Sequence, residues 1–191
     1  MKVVAFNGSA RKDGNTAILI EKIFDQLKAE GIECEMVQLA GSKIQGCIAC
    51  YKCFERKDKK CAVTADHAND YIAKCLEADG IILGSPTYFA NVSAGMKALM
   101  ERVGMVGRAN EFMLKRKVGA AAIAVRRAGA TSVLGAINAF FLAEQMIVPG
   151  SSYWNLGVGR DIGQVHGDEE GMKTMADLGA NMAWLLKKIK A

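Results

Sequence analysis

Two kinds of apolar pattern alternate along this chain. Residues 3–6, 80–84 and 118–125 are unbroken runs of apolar or small side chains, the pattern of strands buried on both faces of a parallel sheet. Residues 32–39 alternate instead, with Ile32, Cys34 and Met36 on one side and Glu33 and Glu35 on the other. That predicts an edge strand with one wet face, and a core place for Cys34. Between these runs the period lengthens to that of a helix. Leu19, Ile20, Ile23 and Leu27 share a face in a helix that opens at Asn15 as N-cap and closes at Gly31. A second helix spans 66–78, with His67 near its start and Cys75 on its buried face. A third begins near Ser93 or Ala94 and a fourth, almost wholly apolar, spans 132–146. A short fifth strand is expected at 147–149, and the glycine-rich 153–167 is expected to be irregular. Asp168 caps the last helix, which carries a stripe of Met172, Met175, Leu178, Met182, Leu185 and Ile189. Glu169 and Glu170 at its start and Lys187, Lys188 and Lys190 at its end suit the helix dipole. Five strands alternating with helices predict an α/β doubly wound parallel sheet. A wet second strand beside buried first and third strands predicts the order 2-1-3-4-5, with a ligand crevice between strands 1 and 3. No repeat or linker divides the chain, so one domain over 1–191 is expected, interrupted by a polar, cysteine-bearing insert at 44–63.

Charge and composition narrow the function. The 191 residues carry a net charge of +5, and the only basic cluster is Lys52, Arg56, Lys57, Lys59 and Lys60. Nucleic-acid binding draws little support from so dispersed a charge. No apolar run reaches the eighteen or so residues of a membrane span and no signal peptide opens the sequence, so a cytoplasmic location is expected. Six cysteines in such a compartment call for metal or redox chemistry rather than structural disulfides.

Three loops fall at the carboxyl ends of strands. In the first, residues 7–16 read NGSARKDGNT. A strand, a small-residue turn and a helix start make an anion cradle, because first-turn N–H groups are unpaired and carry partial positive charge. Ser9, Arg11, Gly14, Asn15 and Thr16 are the candidate phosphate contacts. The spacing is neither a P-loop nor a dinucleotide fingerprint, which points to a phosphomonoester. The second loop contributes Pro86, Thr87, Tyr88, Phe89 and Asn91, a stiff turn with an aromatic wall and polar rim groups suited to a flat heteroaromatic ring. The third offers Arg126 or Arg127 as a positive charge near such a ring, followed by Ala128 and Gly129. A flat ring on a phosphomonoester tail is FMN.

NGSARKDGNT taken with GSPTYFANVSAGMKALMER resembles the NAD(P)H-dependent FMN reductase branch of the flavodoxin-like superfamily. The resemblance implies that Ser9, Arg11, Asn15 and Thr16 hold the FMN phosphate and that residues 86–89 line the isoalloxazine. The third loop departs from the pattern, with Arg126 and Arg127 where relatives often run glycine-rich.

Cys47, Cys50, Cys53 and Cys61 give C-x2-C-x2-C-x7-C. Two-residue spacers bend the chain round the edges of a cubane, and a fourth thiolate closes the cage, so the run favours a [4Fe–4S] cluster. Metal-free redox thiols and structural zinc are the other readings. The motif is similar to that of archaeal and anaerobic bacterial iron–sulfur flavoproteins. That resemblance implies a homodimer or homotetramer whose cluster and FMN exchange electrons, with a ferredoxin-like donor or NAD(P)H on one side and a small-molecule acceptor on the other. No general acid or base is expected. An FMN, quinone or nitro-compound reductase without a cluster is the first alternative, and a zinc-stabilised non-enzymatic interaction module the second.

Overall fold

The computed structural model describes residues 1–190. Strands β1 (Lys2–Asn7), β2 (Glu33–Gln38), β3 (Gly80–Pro86), β4 (Val118–Val125) and β5 (Leu156–Val158) form one parallel sheet in the order β2-β1-β3-β4-β5. The register runs Val4 beside Glu35 and Ile81, and Ile82 beside Ala120. The helices are α1 (Asn15–Ala29), α2 (Lys52–Arg56), α3 (Ala68–Glu77), α4 (Ala94–Ala109), α5 (Ala130–Ala143) and α6 (Glu169–Lys190), with a 3₁₀ turn at Gln164–Gly167.

Alternation along each inner strand splits the core into two layers. Val3, Ala5, Ile82, Ala120 and Ala122 face α1 and α6, whereas Val4, Phe6, Ile81, Leu83 and Ile123 face α3, α4 and α5. Both alternating sets along the middle of β1, β3 and β4 are therefore apolar, as those of parallel strands covered by helices on both faces must be. The edge strand β2 has its wet face stitched by Glu35, which pairs with Lys74 and with Lys2 at 3.0 Å. The small residues of β4 admit close helix packing. A Cβ on Gly119 would lie 2.8 Å from the Phe141 ring.

Three expectations are corrected. The fifth strand is not at 147–149. Ile147 makes one bridge to Val118, its N–H donating to Lys117 and its carbonyl accepting from Gly119. Two residues later Pro149 has no N–H with which to continue a ladder. The strand lies at Leu156–Val158, inside the segment expected to be irregular, and pairs with the carboxyl end of β4. The N-cap of α1 is Gly14 rather than Asn15, whose side chain is engaged elsewhere. The helix expected at 132–146 is Ala130–Ala143, because Gly129 supplies a left-handed N-cap at φ +89°.

Candidate functional site

The carboxyl ends of β1, β3 and β4 open into a cleft of about 150 Å³ lined by Ser9, Arg11, Asn15, Thr16, Pro86, Thr87, Tyr88, Ala124, Arg126, Gly159 and Arg160. The first wall is the turn after β1. Asn7 holds it from below: its Oδ1 accepts from Ser9 N at 3.0 Å, and its Nδ2 donates to Lys12 O and to Gln38 Oε1. Gln38 Nε2 in turn donates to Ser9 O. Ser9 and Thr16 are buried, and no side chain caps α1, so the first-turn N–H groups face the cleft without a side-chain acceptor. Asn15 works differently from a simple anion contact. Its Nδ2 donates to Asp161 O and its Oδ1 accepts from Gly163 N and Val165 N, which pins the segment after β5 against the cradle. Arg11 Nη1 donates to Arg160 O across the same gap.

The second wall follows β3. Thr87 N donates to Ala124 O, fixing the loop to β4, while the buried Thr87 Oγ1 has no hydrogen-bond partner among the described residues. Tyr88 and Asn91 exchange both backbone hydrogen bonds, and Phe89 and Ala90 between them sit at φ +48° and +58°. This tight tip leaves Phe89 fully exposed and Tyr88 47% exposed. Asn91 turns its Oδ1 back to Val92 N. In the third loop Arg126 lines the cleft, whereas Arg127 and Ala128 are exposed outside it. Gly129 closes the loop against the second: a Cβ there would lie 3.1 Å from Ala90 Cα and 3.3 Å from Thr87 Cγ2. Gly159 and Arg160 were not singled out from sequence. They lie in a glycine-rich stretch whose pairing partner, β4, is about thirty residues away.

The second wall leads directly to the cysteines. Ser85 Oγ accepts from Ser93 N, and Ser93 Oγ caps α4 by accepting from Met96 N. Two turns further along, α4 meets the insert. Glu101 Oε2 accepts from Cys47 N at 3.1 Å, and Arg102 Nε donates to Cys61 Sγ at 3.0 Å. Cys47, Cys50, Cys53 and Cys61 all line one cavity, together with Ile48, Tyr51, Arg102 and Met105. Ala49 and Tyr51 take left-handed φ values of +52° and +55°, which turns the chain sharply between the first three cysteines. Each costs on the order of 1–2 kcal/mol in a non-glycine residue. Burial pushes the Cys53 thiol above its usual range. Among the described residues, no three His, Cys, Asp or Glu side chains converge on one point as a single ion requires. Cys34 and Cys75 stand apart, in the core, where burial raises them to about 11 and about 12. No described helix is long and apolar enough to cross a membrane.

A doubly wound parallel sheet in the order 2-1-3-4-5, with a small-residue turn and an aromatic loop at its switch point, defines a flavodoxin-like protein. The model of the NADPH-dependent FMN reductase family matches residues 1–161. An iron–sulfur flavoprotein of Methanocaldococcus jannaschii is 38% identical over 197 residues, covering all of both chains. One from Methanosarcina thermophila is 30% identical over 193 residues, covering 100% of this chain and 97% of that one. The chain therefore belongs to the NADPH-dependent FMN reductase family, in its iron–sulfur flavoprotein branch, and is a flavin-dependent oxidoreductase. Solved structures share the fold. RosB, determined with a bound riboflavin-phosphate intermediate, superposes with a TM-score of 0.76 at 21% identity, over 100% of this chain and 80% of that one. An archaeal flavodoxin gives 0.64 at 16% identity, over 98% and 99%.

Proposed function

We propose that the protein transfers electrons between FMN in the strand-end cleft and a [4Fe–4S] cluster on the cysteine insert. The observation that carries this reading is that Cys47, Cys50, Cys53 and Cys61 line one cavity, which rests against the same helix, α4, whose N-cap is bonded to the loop after β3. FMN, when bound, supplies a centre able to take electrons singly or in pairs, and the protein orients it and tunes its potential. Ser9, Thr16, Arg11 and the first-turn N–H groups of α1 hold its phosphate. Asn15 keeps Gly159 and Arg160 against the same group. Pro86, Thr87 and Tyr88 take the ring, with the unpaired Thr87 hydroxyl available to a rim atom. Of the two candidate arginines, Arg126 brings positive charge there, and Arg127 lies outside the cleft. Phe89, Asn91, Ala128 and Gly129 shape the loops that carry these contacts.

Three thiols in a compact C-x2-C-x2-C run, with a fourth cysteine beyond, suit a cage with four iron corners, one thiolate to each, better than the two separated C-x2-C knuckles of structural zinc. The cavity they line is small, about 20 Å³, and Cys50 is the exposed member of the four. Lys52, Lys57, Lys59 and Lys60, all exposed beside it, offset the negative charge of four thiolates. The same basic face suits an acidic ferredoxin-like donor, NAD(P)H being the other, with a small-molecule acceptor at the flavin. A homodimer or homotetramer is supported by the uncharged, half-exposed α5. A cytoplasmic location is supported by six cysteines free of disulfides.

Anaerobic purification with iron, sulfide and flavin analysis tests the reading. About four irons per chain, and broad absorption near 400 nm that dithionite bleaches, is the expected result. Flavin bands without iron reduce the protein to a plain FMN, quinone or nitro-compound reductase.

A further inference from the structure

We propose that Arg102 is the positioning residue of the cysteine site, holding Cys61 as the fourth arm and donating to its sulfur the hydrogen bond that favours the reduced centre. The inference rests on the cluster reading above. Two-residue gaps fix Cys47, Cys50 and Cys53 relative to one another, but seven residues separate Cys53 from Cys61, and so long a gap fixes nothing. Something outside the motif must bring Cys61 back.

Arg102 does so from α4. Its side chain is 1% exposed, and every N–H of its guanidinium has an acceptor. Nε donates to Cys61 Sγ at 3.0 Å. Nη1 donates to Gln45 O at 3.2 Å and to Asp66 Oδ2 at 3.1 Å, and Nη2 to Val63 O at 2.9 Å and to Asp66 Oδ1 at 3.3 Å. Gln45 precedes the first cysteine and Val63 follows the last. One planar fork thus joins both ends of the insert and leaves a single donor for the sulfur. Asn69 clamps the Cys61 backbone, accepting from its N–H at 2.7 Å and donating to its carbonyl at 3.0 Å. Asp66 balances the buried cation and accepts also from Gln45 N and Ala68 N.

A lysine cannot replace this fork, since its three donors radiate from one point and cannot reach two carbonyls, a carboxylate and a sulfur in fixed directions. With Asp66 offsetting the guanidinium charge, it is the Nε–H donor at the ligating sulfur that favours the more negative, reduced state of an iron–sulfur centre, and neither lysine nor glutamine restores that donor in place. Partners that orient metal ligands typically matter by 10–100-fold in metal retention.

The test compares anaerobically reconstituted wild type, Arg102→Lys and the double variant Arg102→Gln/Asp66→Asn, which leaves no unpaired carboxylate behind. Flavin content and circular dichroism report folding, because Arg102 lies outside the flavin cleft. The readouts are iron and sulfide per chain, the rate of cluster loss to a chelator and the midpoint potential by spectroelectrochemistry. Both variants are expected to keep FMN, to lose the cluster to chelator on the order of 10-fold faster, and to titrate at a more negative potential where a cluster remains. A folded, flavin-bearing variant of either kind with wild-type iron content, chelator resistance and midpoint overturns the role of Arg102. If the double variant fails to fold, Arg102→Lys decides alone. Wild-type protein that takes up no iron overturns the cluster reading instead, and the arginine's role with it.

Discussion

The six thiols are chemically unlike because their surroundings differ, and this can be measured residue by residue. Burial raises Cys75 to about 12, with Lys117 opposing it weakly, and raises Cys34 to about 11. At pH 8 a thiol with a pKa near 12 is ionised to about one part in ten thousand, and the thiolate is the nucleophile. Timed iodoacetamide labelling of the metal-free protein, read by mass spectrometry, should therefore modify the exposed Cys50 first and Cys75 last. Cys75 should react only as the chain unfolds. A second local prediction concerns Glu144, 1% exposed, whose Oε1 accepts from Arg108 Nε at 2.7 Å while its Oε2 has no partner among the described residues. Burial raises this carboxyl above its ordinary value, and Arg108 only partly counters it. A raised carboxyl contributes stability that is fully present below its unfolded value, about 4.3, and is lost as pH rises through the folded value. Arg108 is half-exposed, so Glu144→Gln strands no buried charge. The variant should be at least as stable as wild type at pH 7 by denaturant melts, and should lack this wild-type loss of stability above pH 4.3.

Two helix ends show what one residue in the left-handed region is worth to an element. At the end of α1, Gly31 N donates to Lys28 O and Ile32 N to Leu27 O, with Gly31 at φ +74°. At the end of α5 the same pair of bonds recurs, Gln145 N to Leu142 O and Met146 N to Phe141 O, with Gln145 at φ +59°. The motif is identical, but only one site has the residue that adopts this backbone freely. Gln145→Gly should stabilise the fold by about 0.5–1 kcal/mol, a rise of about 1–4 °C in Tm, and Gly31→Gln should destabilise it by a similar amount. The contrast also explains what the sequence made legible. Gly31, the uniform apolar strands and the wet alternation of 33–38 each state their structure through residue type, and so the sheet order could be read directly. Strand β5 could not. Leu156–Val158 is three residues long with glycine at its centre, because a Cβ on Gly157 would lie 2.6 Å from Leu19 and 2.7 Å from Val165. Three residues carry no period, whereas the apolar 147–149 imitates one. The turn after β1 was legible because local residues build it. The cleft's fourth side, Gly159 and Arg160, and the hold of Arg102 on Cys61 were not, since each depends on contacts between distant segments.

At the scale of the molecule, the distribution of charge over the helices decides which surface is unfinished. Helix α6 carries acids in its first turn and lysines in its last, and α4 presents Lys97, Glu101 and Arg108 to solvent. Helix α5 has no charged residue over its fourteen positions, and its outer side exposes Ala139, Ala143 and Leu142, the last at 66%. Phe140, half-buried, lies in a groove of about 520 Å³ between α4, α5 and the insert, which reaches Cys47, Ala49 and Tyr51. An amphipathic helix lying on a sheet needs only one apolar side, so a second is stable chiefly when another surface covers it. The homo-oligomer proposed above would use this face, because a copy of the same helix brings no charge that burial would penalise, and an isologous contact is the simplest closed arrangement. Leu142→Glu tests the point. Leu142 is 66% exposed, so the substitution should leave the monomer's stability within about 0.5 kcal/mol, as surface changes do. In the assembly it would set one carboxylate against another across the two-fold axis. Light scattering coupled to size exclusion should give a dimer or tetramer for wild type and a smaller species for Leu142→Glu, with flavin content unchanged. A variant of wild-type mass would move the contact to another face, and a monomeric wild type would remove it.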